Sequence, residues 1–421
     1  MSEILNPAAR SSHSIGRAGD AGIVLEGKSV QATPGPAISP VAGQRGVEAR
    51  RLPEINGLRG IAILMVLFLH LYRDLLFQRS TDQPIIWVGG LSSIGWWAAS
   101  PLRHCWSGVN FFFVLSGFVL FKPYVTGSRQ LSSWPDWFDY YRRRAWRLIP
   151  LLFISTCFFL ALSYPSRGGK DLVVQLGQVL TGVFVFSKKS FFPPVNGVLW
   201  SLGVELWFSA VFPIVALFLL RPKPLRAILV FYGIALATRI WGTQLFLTDW
   251  ISLLNPVKDG LAGRIDDFVA GMAVCLFYYR AKDFDSHGLS LAGIAGLLAV
   301  AGGFILDDAA RAGLLPGWLM AVSYIPINAG FACLLLYAIA SPGSLWARLL
   351  RFDTLQAAGV MCYSIYVWHS NIQNHMVFDA MNYSQVAFYV MLLGIIATMS
   401  WLLIECAEPG AIQKRLRKLT A

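Results

Sequence analysis

The sequence predicts an all-α polytopic membrane protein, a bundle of about ten transmembrane helices with both termini in the cytoplasm. Three observations carry that expectation. Of 421 residues, 56% are hydrophobic and only 14% charged, with a mean hydropathy of +0.56, too little charge to cover a soluble domain of this length. Several apolar runs reach about 20 residues, enough to cross a hydrocarbon core about 30 Å thick. The basic residues behind the net charge of +12 cluster between those runs, which in a membrane protein is an orientation signal. A nucleic-acid partner is set aside, because no basic, aromatic-interleaved domain stands apart from the spans.

Residues 1–50 are rich in Ala, Gly, Ser and Pro and hold no apolar run, the composition of a disordered cytoplasmic tail. The first apolar segment starts late, is long and has no small-residue cleavage pattern, so it reads as an uncleaved anchor rather than a signal peptide. Spans follow at 55–77, 105–125, 148–164, 198–220, 226–247, 263–281, 288–307, 318–340, 356–377 and 385–407, and a short basic tail closes the chain at 413–421. Placing the N-terminus inside puts nineteen Lys and Arg on cytoplasmic connectors against nine outside. That bias supports an even number of spans. The segment "DLVVQLGQVLTGVFVF" (171–186) is apolar but short and carries Gln175 and Gln178. It is expected as an interfacial or re-entrant helix, since a full span there would invert every later loop. The domain organisation is thus a tail at 1–50, a membrane domain at 51–412 and a tail at 413–421. The six cysteines lie scattered in or beside apolar runs without a CxxC pair, so neither a zinc site nor a disulfide framework is indicated.

Ionisable residues inside spans cost about 2.5–3.5 kcal/mol each at the helix centre and mark function more often than chance. The candidates are Arg59, His70, Glu205, Arg239, Arg264, Asp266, Asp267 and His369. In "INGLRGIAILMVLFLHLYRD", Arg59 and His70 stand eleven residues apart. That spacing turns the helix about 20° past three full turns and advances it about 16 Å, so both side chains share one face. Arginine suits a phosphate at the cytoplasmic mouth, and histidine moves protons near neutral pH. The bland alternative has Arg59 reaching lipid headgroups and His70 hydrogen-bonded to a neighbouring helix. Glu205 in "GVLWSLGVELWF" and His369 in "YSIYVWH" sit about 10–12 Å from the outer ends of their spans, a depth similar to that of His70. A shared polar chamber explains the match. A His₂Glu metal site lacks the HExxH-type pairing that would hold two ligands on one helix, so no metal is expected.

The connector "FDYYRRRAWRLIP" (138–150) is read as a cytoplasmic loop packing four arginines against aromatics. It is an orientation signal on anionic lipid, and Arg144 and Arg147, at i and i+3, would also share a helical face and grip phosphate. In "GVNFFFVLSGFVLF" (108–121), Gly108, Ser116 and Gly117 fit close helix packing. Ser116 lacks the elbow of a nucleophile.

Taken in order, "INGLRGIAILMVLFLH", "GVNFFFVLSGFVL", "RRRAWRLIP", "LWSLGVELWF", "RIDDFVAGM", "YSIYVWH" and "ECAEPG" resemble the acyltransferase 3 family of integral membrane acyltransferases, over about residues 53–412. The resemblance implies ten helices and transfer of an acyl group from cytoplasmic acyl-CoA, acetyl-CoA foremost, to an acceptor hydroxyl. It implies acceptors such as extracellular polysaccharide, O-antigen, Nod-factor-type oligosaccharide, glucans or macrolides, in the bacterial inner membrane. By position it makes Arg59 and His70 the essential pair, Arg144 and Arg147 the cytoplasmic basic motif, and Glu205 the acidic residue of the fourth span. Some members add a hydrolase-like C-terminal domain, which this chain is expected to lack. The family often shows Glu-Glu-Gln-Phe where this chain reads "ELWF", so a second polar residue there is missing.

The chemistry that follows binds the donor phosphates on Arg144, Arg147 and Arg59. It places His70 as general base or as transient acyl carrier, oriented by Glu205 or by Asp74 one turn beyond. Arg264, Asp267 and His369 are candidates on the acceptor side. No permanently bound cofactor is expected. The competing class is a transporter or flippase with a polar solute layer, which would be built from internal repeats. No self-similarity between the halves is visible.

Overall fold

The computed structural model describes residues 52–77, 100–163, 169–245, 254–281, 284–374 and 383–405. The expected tails at 1–50 and 413–421 lie outside them, as do residues 78–99, 164–168, 246–253, 282–283, 375–382 and 406–412. The described residues are helical, with no strand among them. Eight helical segments are long and apolar enough to cross a membrane, and the chain is an integral membrane protein.

Helix α1 (Pro53–Phe77) opens on a proline, whose fixed φ suits the first helical turn. Its buried Glu54 accepts from Arg351 Nε at 3.0 Å. After the turns Ser100–Arg103 and His104–Ser107 comes α2 (Gly108–Val125), and after it α3 (Trp134–Ser163). At 30 residues α3 runs about 45 Å. The connector expected as a loop at 138–150 is therefore part of a helix. Tyr, Arg, Ala, Trp and Leu offer no breaker there before Pro150, so the arginines ride on a rigid extension of the span.

Helix α4 (Gly169–Thr181) has 13 residues, about 20 Å, short of the hydrocarbon thickness. Next come α5 (Trp200–Leu219), α6 (Pro224–Leu245), α7 (Leu261–Arg280), α8 (Ser286–Arg311) and α9 (Tyr324–Ala340). Asp285 caps α8, accepting from the amides of His287 and Gly288. The span expected at 356–377 is two helices, α11 (Asp353–Val360) and α12 (Cys362–Asn374), which follow the short α10 (Leu345–Leu350). They break at Met361. Helix α13 (Tyr383–Ser400) completes the bundle and runs into a wider turn at Trp401–Glu405.

The core centres on α2. Its segment is 72% buried, whereas α6 is 17% and α13 22% buried. The latter two present leucine, isoleucine and methionine outward, as a lipid-facing surface requires. Small residues bring backbones together at two seams. A Cβ on Gly117 would overlap the Phe268 carbonyl, and one on Gly271 the Val114 carbonyl, so α2 and α7 touch main chain to main chain. Gly57, Gly60 and Gly359 do the same between α1 and the α10–α11 segment, against Leu350, Leu355 and Asn56. These seams fix α1, the helix that carries both Arg59 and His70.

Candidate active site

The continuous helix α1 keeps Arg59 and His70 on one face, both partly buried. At the His70 end, Nδ1 lies 2.8 Å from the Val66 carbonyl oxygen. A carbonyl only accepts, so Nδ1 carries the proton and the lone pair of the neutral ring sits on Nε2. His369 meets this ring edge to face, with centroids 4.8 Å apart. Its Nδ1 donates to the Tyr366 carbonyl at 2.7 Å, which fixes the same tautomer.

Three side chains hold α12, and with it His369, against the segment that leads into α5. Asn196 donates to the Val367 carbonyl at 2.9 Å, Asn371 to the Val195 carbonyl at 2.8 Å, and Tyr366 Oη to the Val198 carbonyl at 2.7 Å. Tyr366 Oη also lies 2.6 Å from Ser201 Oγ. Since its proton is committed to Val198, it accepts from Ser201.

Toward the other end of α1 stand the arginines of α3. Arg144 Nη2 donates to Glu205 Oε1 at 2.8 Å, and its Nε and Nη2 reach Ser209 Oγ at 3.1 and 3.0 Å. Tyr140 and Tyr141 donate to the Ser209 and Ala210 carbonyls, so one side of α3 is laced to one turn of α5. Arg147, one turn further along α3, feels the charges of Arg59, Arg144 and Glu205. Its side chain is exposed on the bundle. Arg59, Arg144 and Arg147 thus form a cationic cluster, with Glu205 paired to Arg144.

Glu205 does not reach the imidazoles. Its oxygen is held by Arg144 and, at 3.4 Å, by Ser116 Oγ, one helical turn from the Ser201–Tyr366 contact. Depth along a span leaves open which way the Glu205 carboxylate turns. The side chain of Asp74 lies outside the described residues.

The His70 end opens into a cavity of about 840 Å³ lined by His70, Val66, Trp106, Trp200, Tyr324 and Tyr366, with Arg103, His104, Arg264, Asp308 and Arg311 on its polar wall. Arg264 is buried under that wall. It bonds Asp259, donates to Asn110 Oδ1 at 3.0 Å and lies over the Tyr324 ring at 4.5 Å. Asp267 stands behind it, fully buried and bonded to Asn328. Arg239 and Asp266 form a separate buried pair at 2.7 and 2.8 Å, a tie between α6 and α7.

Sequence reasoning missed the cluster at the cavity wall. Arg103 and His104 precede α2 and Asp307, Asp308 and Arg311 end α8, so each reads as an ordinary charged span end. The one local signal is the Asp307–Asp308 pair set just inside a helix terminus.

A family model described as an acyltransferase domain matches residues 52–405. The O-acetyltransferase OatA of Staphylococcus aureus strain NCTC 8325 is 25% identical over 372 residues, 83% of this chain and 55% of that protein. The peptidoglycan O-acetyltransferase OatA of Listeria monocytogenes is 25% identical over 344 residues, 76% of this chain and 49% of that protein. A putative O-acetyltransferase of Staphylococcus aureus strain COL is 26% identical over 353 residues, 76% of this chain and 50% of that protein. The chain thus spans about half the length of the curated relatives it matches. No solved structure matches it. With the family model covering the whole helical bundle and the Arg–His face at its centre, the chain belongs to the acyltransferase 3 family.

Proposed function

We propose that this protein is a membrane O-acyltransferase that moves an acyl group, acetyl first, from cytoplasmic acyl-CoA to a hydroxyl of a carbohydrate acceptor on the outer side of the bacterial inner membrane. One observation carries the reading: a single face of α1 runs from a cationic cluster to a histidine that opens into a cavity. The names of the relatives favour acetyl as the group and a cell-wall carbohydrate as the class of acceptor.

Residues 51–412 form the catalytic unit in this reading, flanked by cytoplasmic tails, with ten crossings and both termini inside. The arginine end then faces the cytoplasm. Arg59, Arg144 and Arg147 take the phosphates of the donor, guanidinium forks matching phosphate oxygens. Glu205 and Ser209 hold Arg144 in register. The pantetheine arm follows the α1 face for about 16 Å and brings the thioester to His70. His70 Nε2 takes the proton of the acceptor hydroxyl as its oxygen attacks the thioester carbonyl. The C–O bond forms, the C–S bond breaks, and the proton passes from the imidazolium to the leaving thiolate. His369, packed on the His70 ring, and Arg264, under the cavity wall, bound the acceptor side, with Asp267 anchoring Asn328 behind them.

The test uses purified protein in nanodiscs with radiolabelled acetyl-CoA and a cell-wall oligosaccharide. Wild type is expected to form a labelled ester. His70→Ala is expected to lower the rate by about 10²–10⁴-fold, the worth of a positioned general base, with thermal stability unchanged. Full turnover in His70→Ala would remove His70 from the mechanism.

A further inference from the structure

The cavity has two unlike walls. One is aromatic, with Trp106, Trp200, Tyr324 and Tyr366, and offers flat apolar faces to the C–H faces of sugar rings. The other is charged, and its charges are sorted. Arg103 pairs with Asp308 at 2.6 Å, but the arginine side chain is 19% exposed and the aspartate 4%. Arg311 pairs with Asp307, and there the exposures are 25% and 0%. Arg311 lines the cavity while Asp307 does not; Arg103 and Asp308 both line it, with the guanidinium the more exposed of the two.

The two carboxylates are also saturated. Asp308 Oδ2 accepts from Ser100 Oγ at 2.6 Å as well as from Arg103. Asp307 is bonded by Arg311 Nη2 at 3.3 Å, Ser323 Oγ at 3.3 Å and His104 Nε2 at 3.1 Å. His104 Nδ1 meets the Ser100 carbonyl at 2.8 Å. Both ring nitrogens therefore face oxygen atoms, and the ring stacks on Phe304 with centroids 4.5 Å apart. A wall built only to close the end of the bundle would bury both members of each pair. Here the acids hold the arginines, and in each pair the guanidinium is the more exposed group.

We propose that this wall is an anion subsite. Arg103 and Arg311 grip a carboxylate or phosphate carried by the acceptor carbohydrate, which seats its sugar ring on the aromatic wall and a hydroxyl at His70. The substrate class is thus an acidic glycan. The inference rests on the acyl-transfer reading for what happens at His70, but the subsite itself is a matter of binding.

Calorimetric titration of the wild type in phosphatidylcholine nanodiscs tests it with three probes of equal length. These are an oligoglucuronate, the same oligomer with its carboxylates converted to carboxamides, and a neutral oligosaccharide bearing glycerol phosphate. At least one anionic probe is expected to bind about tenfold tighter than the carboxamide, as a charge-assisted guanidinium contact gives. Whether that probe is the uronate or the phosphate identifies the source of the anion. Arg311→Gln leaves Asp307 buried without its partner, so the paired change Arg311→Gln with Asp307→Asn keeps the site neutral. It is expected to abolish the preference while leaving carboxamide binding unchanged. Equal affinity of the wild type for all three probes would overturn the subsite. Anion-selective binding without ester formation from acetyl-CoA would keep the subsite and sink the acyl-transfer reading instead.

Discussion

At the residue scale, the site rests on a hydrogen bond that fixes which nitrogen of His70 is basic. The Val66 carbonyl takes the Nδ1 proton, so the lone pair sits on Nε2, the nitrogen that the proposed reaction uses. Spacing along the sequence is enough to find Arg59 and His70, because a helix maps eleven residues onto one face. The Arg103–Asp308 and His104–Asp307 contacts join residues more than 200 positions apart, a pairing that no local pattern encodes. Nothing in the sequence around Lys258 announces its burial either. It is 1% exposed and lies 3.8 Å from Asp259. Burial pushes its ammonium down to about 8, against the pull of Asp259, with Arg311 and Arg264 adding to the fall and Asp307 opposing it. The unfolded lysine titrates near about 10.4, so between those values the unfolded chain binds the extra proton and stability rises with pH. Thermal melts from pH 7 to 10.5 are expected to show wild type gaining Tm relative to Lys258→Met, chiefly above pH 8. Parallel profiles would show that the buried ammonium costs the fold nothing.

At the element scale, two devices position the helices. Backbone contact through small residues fixes α1 to the α10–α11 segment and α2 to α7, and the glycines of "INGLRG" and "LSGF" announce it in the sequence. Buried ion pairs fix the rest. Arg239 and Asp266, both fully buried, tie α6 to α7 in a two-pronged contact. The sequence marks both as costly residues in spans without showing that they meet. Removing one partner strands the other charge, so Asp266→Ala is expected to cost about 3–5 kcal/mol, read as a lowered midpoint in denaturant, while Arg239→Met with Asp266→Leu recovers most of it. The basic stretch at 138–150 illustrates the opposite limit. A cluster of charge between apolar runs looks like a loop, yet nothing in it breaks a helix. As a helix it sets Arg144 against Glu205 and Arg147 beside the charges of Arg59 and Arg144. The break at Met361 has no proline or glycine beside it to announce it, and it comes next to the tie between Tyr363 Oη and the Leu148 carbonyl at 2.6 Å.

At the scale of the whole molecule, the bundle separates its two charged regions along a single helix. The fold class was legible from composition and run length alone, since every backbone group in a bilayer must be satisfied within a helix. The count of crossings was less so. Helix α7 carries three charges, Arg264, Asp266 and Asp267, and is not among the eight candidate spans, while α4 is apolar and too short. The separation matters for the proposed reaction, in which donor and acceptor enter from opposite ends and meet at His70. The most direct measurement reconstitutes the protein in sealed vesicles and, in inside-out molecules and right-side-out molecules alike, supplies radiolabelled acetyl-CoA on one side and an impermeant oligosaccharide on the other. Labelled ester is expected only when acetyl-CoA is on the side of Arg147 and the oligosaccharide on the side of the cavity. Ester formation that requires both substrates on the same side would contradict transfer through the bundle.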